Sequence, residues 1–194
     1  MLELDPRIAK TLSSAPPQPL RAETLSMFRA AGNKPSPPPS AGVERRDYVI
    51  DPEHAVAIRV HRPAGAGGGL PCVYSMHGGG YVFGSVANDD ARLEGWSRSY
   101  RCAGVSVEYR LAPETPFPGP LDDCYLGLKW VFDHHEEVGV DPGRVGVSGT
   151  SAGAGLAAAL ALGGPGPGRD TAEIPAARRA DDRRPPGDPV KPAR

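Results

Sequence analysis

Two short glycine-rich segments hold the residue types that could do chemistry: His77-Gly78-Gly79-Gly80 and Gly149-Thr150-Ser151-Ala152-Gly153. A serine hydroxyl is a poor nucleophile, so acyl transfer through serine calls for a base beside it. It also calls for hydrogen-bond donors where the carbonyl oxygen becomes an anion. The second segment has the G-x-S-x-G spacing of a strained turn that lifts a serine above a sheet, with small residues allowing strand and helix to pack closely. The first has a glycine run whose backbone can turn several N–H groups toward one point. Ser151 is therefore the expected nucleophile, and Gly78, Gly79 and Ala152 are the expected oxyanion donors. His77, Gly80, Gly149 and Gly153 are read as structural members of the two motifs.

The surrounding sequence supplies the elements such motifs require. Leu70–Met76 reads as a strand running straight into His77, and Arg144–Val147 as a short strand before the serine turn. An alanine-rich helix, Ser151–Leu162, follows. Val43–Ile50 and Ala55–His61 alternate loosely about an Asp51-Pro52 turn, and Ala103–Tyr109 alternates Val105, Val107 and Tyr109. Asp89 and Asp90 suit the first turn of a helix reaching about Arg101. Leu121–Glu137 shows a helical stripe at Leu121, Tyr125, Leu128, Val131 and Phe132. Strand–helix alternation from residue 70 onward calls for a parallel sheet with right-handed crossovers, an α/β architecture of about five strands. Two helical patterns, Pro6–Leu12 and Arg21–Ala31, precede a proline-rich joint at Pro35–Pro39.

Composition narrows the function classes. The formal net charge is -1 with mixed signs, so no nucleic-acid partner or anionic membrane surface is indicated. No apolar run approaches the roughly 20 residues of a membrane-spanning helix. The first residues lack the basic and apolar regions of a secretory signal. Cys72, Cys102 and Cys124 have neither metal-ligand spacing nor the even count of a disulfide framework. They read as buried small hydrophobes in a reducing cytoplasm, with no cofactor or metal expected. Glycine (25) and proline (23) cluster at the joint and after residue 163, which marks linkers rather than a fibrous chain. The division expected is 1–40, two helices and a proline-rich linker; 41–163, the α/β core; and 164–194, a disordered Pro/Arg-rich tail.

With both motifs in this order, residues 70–162 resemble the N-terminal part of an α/β-hydrolase of the hormone-sensitive-lipase-like esterase family. The resemblance rests on His77 to Tyr81, on Tyr109-Arg110-Leu111-Ala112-Pro113-Glu114, on Pro116-Phe117-Pro118, on Asp122-Asp123-Cys124 and on the serine turn. It implies a carboxylesterase acting through an acyl-enzyme on short- to medium-chain esters, with residues 1–40 forming part of a lid. It also assigns Arg110 and Glu114, which could pass for a catalytic pair, to architecture. Thr150 and Ala154 stand where the family usually has Asp and Gly. Two other readings remain open: amide or formamide hydrolysis on the same scaffold, and a non-catalytic relative that binds a small ligand.

The remaining triad members are not evident. In this fold the acid and the histidine follow the serine, on loops after later strands. Thirty-two residues follow Leu162, with seven prolines, no aromatic, and only Ile174 and Val190 as large aliphatics. They hold carboxylates at Asp170, Glu173, Asp181, Asp182 and Asp188 but no histidine. His134 and His135 read as surface residues on a helix leading away from the serine, and His54 and His61 lie on the early strands. The chain alone is therefore expected to have negligible turnover. Truncation would also leave Arg144–Val147 as an exposed edge. A frameshift near residue 163 would account for the change of character, and the other two frames of the coding DNA would then encode the missing strand, acid and histidine.

Overall fold

The computed structural model describes residues 5–8, 10, 20–32 and 35–163. The expected disordered tail, 164–194, lies outside them, as does much of the first helical pattern, of which residues 6–8 are helical. Helix α1 spans Ala22–Gly32, and strands β1 (Val43–Asp51), β2 (Val56–Pro63) and β3 (Leu70–Met76) follow. A short 3-10 turn, Val86–Asn88, leads into α2 (Asp90–Tyr100) and β4 (Ala103–Glu108). Then come α3 (Gly119–Asp133), α4 (His135–Val138), β5 (Val140–Gly149) and α5 (Ala152–Ala161). The strands form one sheet in the order β1-β2-β4-β3-β5. β1, β2 and β4 pair antiparallel, whereas β3 is parallel to both β4 and β5. The parallel core expected from residue 70 onward is therefore present, extended by an antiparallel hairpin.

Side-chain alternation gives the sheet two unlike faces. Ile58, Val60, Tyr74, Met76, Val105 and Val107 point to one side, where α3 and α5 cover them with Leu121, Cys124, Leu128, Val131, Leu156 and Leu160. Helix α3 approaches so closely that a methyl on Gly127 would lie 3.3 Å from Ile58 and from Val107. This face is apolar and dry. Cys72 and Cys124 are buried and unpaired, and burial pushes the Cys72 thiol up to about 12.

The opposite face is polar. Helix α2 turns Asp90, Leu93, Glu94 and Ser97 inward, a stripe with one large aliphatic. β1 and β2 bring Arg45 opposite His61 and Asp47 opposite Arg59 on that side. Asp90, 3% exposed in its side chain, accepts from Arg45 (2.9 Å) and Arg59 (3.0 Å) and pairs with His61 Nε2 (3.0 Å). Glu94 accepts from Arg45 and from the backbone N–H and hydroxyl of Ser40, which ties the proline-rich joint to the sheet. Burial pushes the Asp90 carboxyl up, but His61, Ser36, Arg59 and Arg45 together hold it below its ordinary value. Buried charges persist only when paired in this way.

One expected element differs. The helix read as Leu121–Glu137 is interrupted at His134, where α3 ends and α4 begins. The His134 ring stacks on Trp130 (4.1 Å between centroids), and its Nδ1 lies 3.0 Å from the Trp130 carbonyl oxygen. The His134 N–H also donates to that carbonyl (2.9 Å), so the last ladder bond of α3 is kept and the break falls at His134 itself.

Candidate active site

The two glycine segments meet at the C-terminal ends of β3 and β5. Met76 lies opposite Gly149 in the parallel register, so the chain leaves both strands at the same height. The Thr150 N–H donates to the Met76 carbonyl (3.2 Å), joining the two turns. Ser151 follows with φ 53° and ψ -116°, a conformation that residues with a Cβ rarely adopt. Strain of this kind costs about 1–3 kcal/mol and persists only where neighbouring structure over-determines it. Here the Gly153 N–H bonds to Thr150 O and the Ala154 N–H to Ser151 O, both at 2.9 Å, as α5 starts. The result is an exposed Ser151 at the N-terminus of a ten-residue helix.

Close approach explains the small residues. A methyl on Gly78 would sit 2.9 Å from Thr150 O and 3.5 Å from Ser151 Cβ, so Gly78 lies directly against the serine. A methyl on Gly153 would come within 2.5 Å of the His77 carbonyl oxygen, which keeps α5 hard against the end of β3. Among the described residues, the N–H groups of Gly78, Gly79 and Ala152 donate to no protein acceptor. Of these, Gly78 lies against Ser151 and Ala152 follows it in the chain, while Gly79 packs against the Phe83 backbone.

Second-rank contacts hold this arrangement. The His77 ring is buried and stacks on Tyr109 (4.2 Å, 11° between planes), whose hydroxyl donates to the His77 carbonyl at 2.8 Å. Arg92 donates to Thr150 Oγ1, Ser75 Oγ and Asp89 Oδ1, each at 2.8 Å. Thr150 is thereby roped to the start of α2 and to the C-terminal end of β3. Helix α1 is fastened by Arg29, which donates to the Val82 carbonyl (2.9 Å), the Ala112 carbonyl (2.9 Å) and both oxygens of Glu114 (2.7 and 2.8 Å). That guanidinium holds the Glu114 carboxyl down at about 2. Arg110 pairs instead with Asp123 (2.9 and 2.7 Å), so Arg110 and Glu114 serve separate contacts. Arg29 and Arg92 carried no sequence signal: neither sits in a motif, and their acceptors are mostly backbone or distant side chains.

All five histidines are described, and none of them hydrogen-bonds Ser151. His54 pairs with Asp51, His61 with Asp90, and His77 Nδ1 lies 2.9 Å from Gly78 O. His134 stacks on Trp130, and His135 lines a shallow cleft with Gly68, Gly69 and Val140 at the opposite end of β3 and β5. The buried His61–Asp90 pair has the look of half a triad, yet Arg45 and Arg59 already saturate its carboxylate. Among the described residues no cluster of three or more His, Cys, Asp or Glu could hold a metal ion. No helix there is long and apolar enough to cross a membrane.

Comparison with known proteins agrees with this geometry. A family model described as the alpha/beta hydrolase fold matches residues 73–164. The carboxylesterase NlhH of Mycobacterium tuberculosis is 32% identical over 172 residues, covering 84% of this chain and 54% of that protein. Arylacetamide deacetylase of Bos taurus is 47% identical over 95 residues, 46% of this chain and 23% of that protein. Among solved structures, a bacterial heroin esterase superposes with a TM-score of 0.65 at 36% identity, over 82% of this chain and 52% of the other. An esterase of Pyrobaculum calidifontis gives 0.64 at 33% identity, over 83% and 54%. The chain spans about half the length of the carboxylesterase and of the two esterase structures. Fold, serine turn, glycine loop and relatives agree: this chain belongs to the α/β-hydrolases of the hormone-sensitive-lipase-like esterase family and corresponds to the N-terminal part of their fold.

Proposed function

We propose that the chain carries the nucleophile and oxyanion half of a serine carboxylic ester hydrolase. One observation supports this most: a strained, exposed Ser151 packed against Gly78, with the N–H groups of Gly78, Gly79 and Ala152 unused by any acceptor among the described residues. In the reaction, Ser151 Oγ bonds to the ester carbonyl carbon while the carbonyl π pair moves onto oxygen. The N–H groups of Gly78, Gly79 and Ala152 receive that oxyanion, and the positive end of α5 favours it further. Collapse breaks the bond to the alkoxy group, which leaves with the proton the serine gave up. Water then repeats the sequence on the acyl-serine and releases the acid. The α1 helix, fastened by Arg29 beside the glycine loop, forms one wall for short- to medium-chain acyl groups.

Proton transfer in both steps requires a base that none of the described residues supplies. Loss of the histidine from a serine hydrolase lowers kcat by about a millionfold. Purified chain is therefore expected to turn over p-nitrophenyl butyrate no faster than its Ser151→Ala variant. Turnover that Ser151→Ala abolishes would refute the missing base. Amide hydrolysis is a second reading, favoured by the likeness to arylacetamide deacetylase, and paired ester and anilide substrates distinguish the two. Three unpaired buried cysteines suit a reducing compartment, and we place the protein in the cytoplasm.

A further inference from the structure

We propose that Arg92 is a positioning residue for Ser151. Acting through the Thr150 hydroxyl, its guanidinium holds the strained turn in the conformation that presents the serine. Ser151 has a backbone conformation that its own Cβ disfavours, so neighbouring contacts must impose it. Thr150 carries several of those contacts. Its N–H donates to Met76 O (3.2 Å) and its carbonyl accepts from the Gly153 N–H (2.9 Å), which fixes the turn against β3 and α5. Its hydroxyl accepts from Arg92 Nη1 at 2.8 Å, across 58 residues of sequence. Thr150 is exposed, so water alone could satisfy that hydroxyl. An arginine reaching it from α2 is a third, independent tether.

The other end of the guanidinium is anchored more deeply. Arg92 Nη2 donates to Ser75 Oγ and to Asp89 Oδ1, each at 2.8 Å, and Ser75 Oγ donates to Asp89 Oδ2 at 2.7 Å. Ser75 is fully buried and the Asp89 side chain is 4% exposed, so this ring of contacts is firmly seated. Arg92 Cζ also lies 5.2 Å from the centre of the Trp96 ring, one turn along α2. A planar fork with both ends engaged transmits position from the anchor to Thr150, which the single ammonium of a lysine would not. The tether is read from these contacts alone, while its effect on turnover rests on the ester-hydrolase reading.

The test follows amide exchange in the turn alongside imidazole-assisted p-nitrophenyl butyrate hydrolysis, both in the full chain. Thr150→Val removes the hydroxyl and leaves the Arg92–Asp89 pair in place. It should speed exchange of the Thr150, Gly153 and Ala154 amides about tenfold, with the Leu93 amide of α2 and the Tm unchanged. The serine-dependent kcat should fall about tenfold or more at constant KM, because a displaced nucleophile still meets bound substrate. Thr150→Ser, which keeps the hydroxyl, should restore both readouts. In the Arg92→Met background, Thr150→Val should add less than about a twofold change in turn exchange, since the contact is already lost. Unchanged turn exchange in Thr150→Val would overturn the proposal. So would equal effects of that substitution with and without Arg92, or a rise in KM at constant kcat. If the wild-type chain shows no serine-dependent hydrolysis with imidazole, the ester-hydrolase reading fails, and the exchange results still decide the tether.

Discussion

The two edges of the sheet are built on opposite principles. β1 carries Glu44, Arg45, Arg46 and Asp47 in succession, and its register with β2 shifts between Val49 and Asp51. Consecutive charges and an irregular ladder are how natural sheets discourage further strands. Arg59 then reaches across to both oxygens of Asp47 at 2.7 Å. β5 has its charges, Asp141 and Arg144, and its register shift in its first half, whereas Val145–Gly149 is regular and uncharged, with a glycine facing open space. One edge is closed and the other is open, and the nucleophile is attached to the open one. Charge pairing and candidate chemistry thus lie on different sides of the sheet: the β1 side holds the buried ion cluster, while the β5 side presents Ser151.

That contrast can be broken most forcefully at Asp90. Asp90→Ala would leave Arg45, Arg59 and His61 facing one another without their shared acceptor. Removing one member of a buried charge cluster costs roughly 3–5 kcal/mol. Urea midpoints at neutral pH should show that loss; a change under 1 kcal/mol would mean the β1 side is not what holds the sheet. Next in size is Gly153→Val, which drives a side chain into the Met76 and His77 carbonyls. Overpacking there should cost about 1–3 kcal/mol, with far-UV circular dichroism distinguishing local shift from unfolding.

The smallest effect belongs to the α1 fastening. The Glu114 carboxyl is held down at about 2 by Arg29, below its ordinary value. A depressed folded-state value means the stabilisation is fully present above about 4.5 and fades as pH falls toward 2. Protection of α1 amides should therefore be level from pH 5 to 9. Glu114→Gln should raise α1 exchange while leaving the global transition nearly unchanged. A pH-dependent α1 between 5 and 9 would contradict the pairing.

Much of this was legible in the sequence, for identifiable reasons. β3 and β4 alternate or run apolar because both faces are covered, and the glycine run after Met76 marks where the backbone must approach Ser151. The serine turn was legible because an apolar strand precedes it and an alanine-rich helix follows. The inward face of α2 was not. Its stripe is Asp90, Leu93, Glu94 and Ser97, so hydrophobic periodicity gives no direction. The register that sets Arg45 and His61 opposite each other, above those carboxylates, is fixed only by the hairpin's pairing. Charged residues on loosely alternating strands read as solvent-facing until the pairing is known. The break at His134 was hidden likewise, since neither a glycine nor a proline stands there.

If Ser151 is a competent nucleophile that lacks only its base, an external base should restore its chemistry. Chemical rescue tests it directly: p-nitrophenyl butyrate hydrolysis is followed as imidazole is titrated into the chain and into Ser151→Ala at pH 7.5. The account predicts no serine-dependent rate without imidazole and, as imidazole rises, a serine-dependent increment that saturates with substrate. Equal rates for the two proteins at every imidazole concentration would contradict it, and so would serine-dependent turnover with no imidazole present.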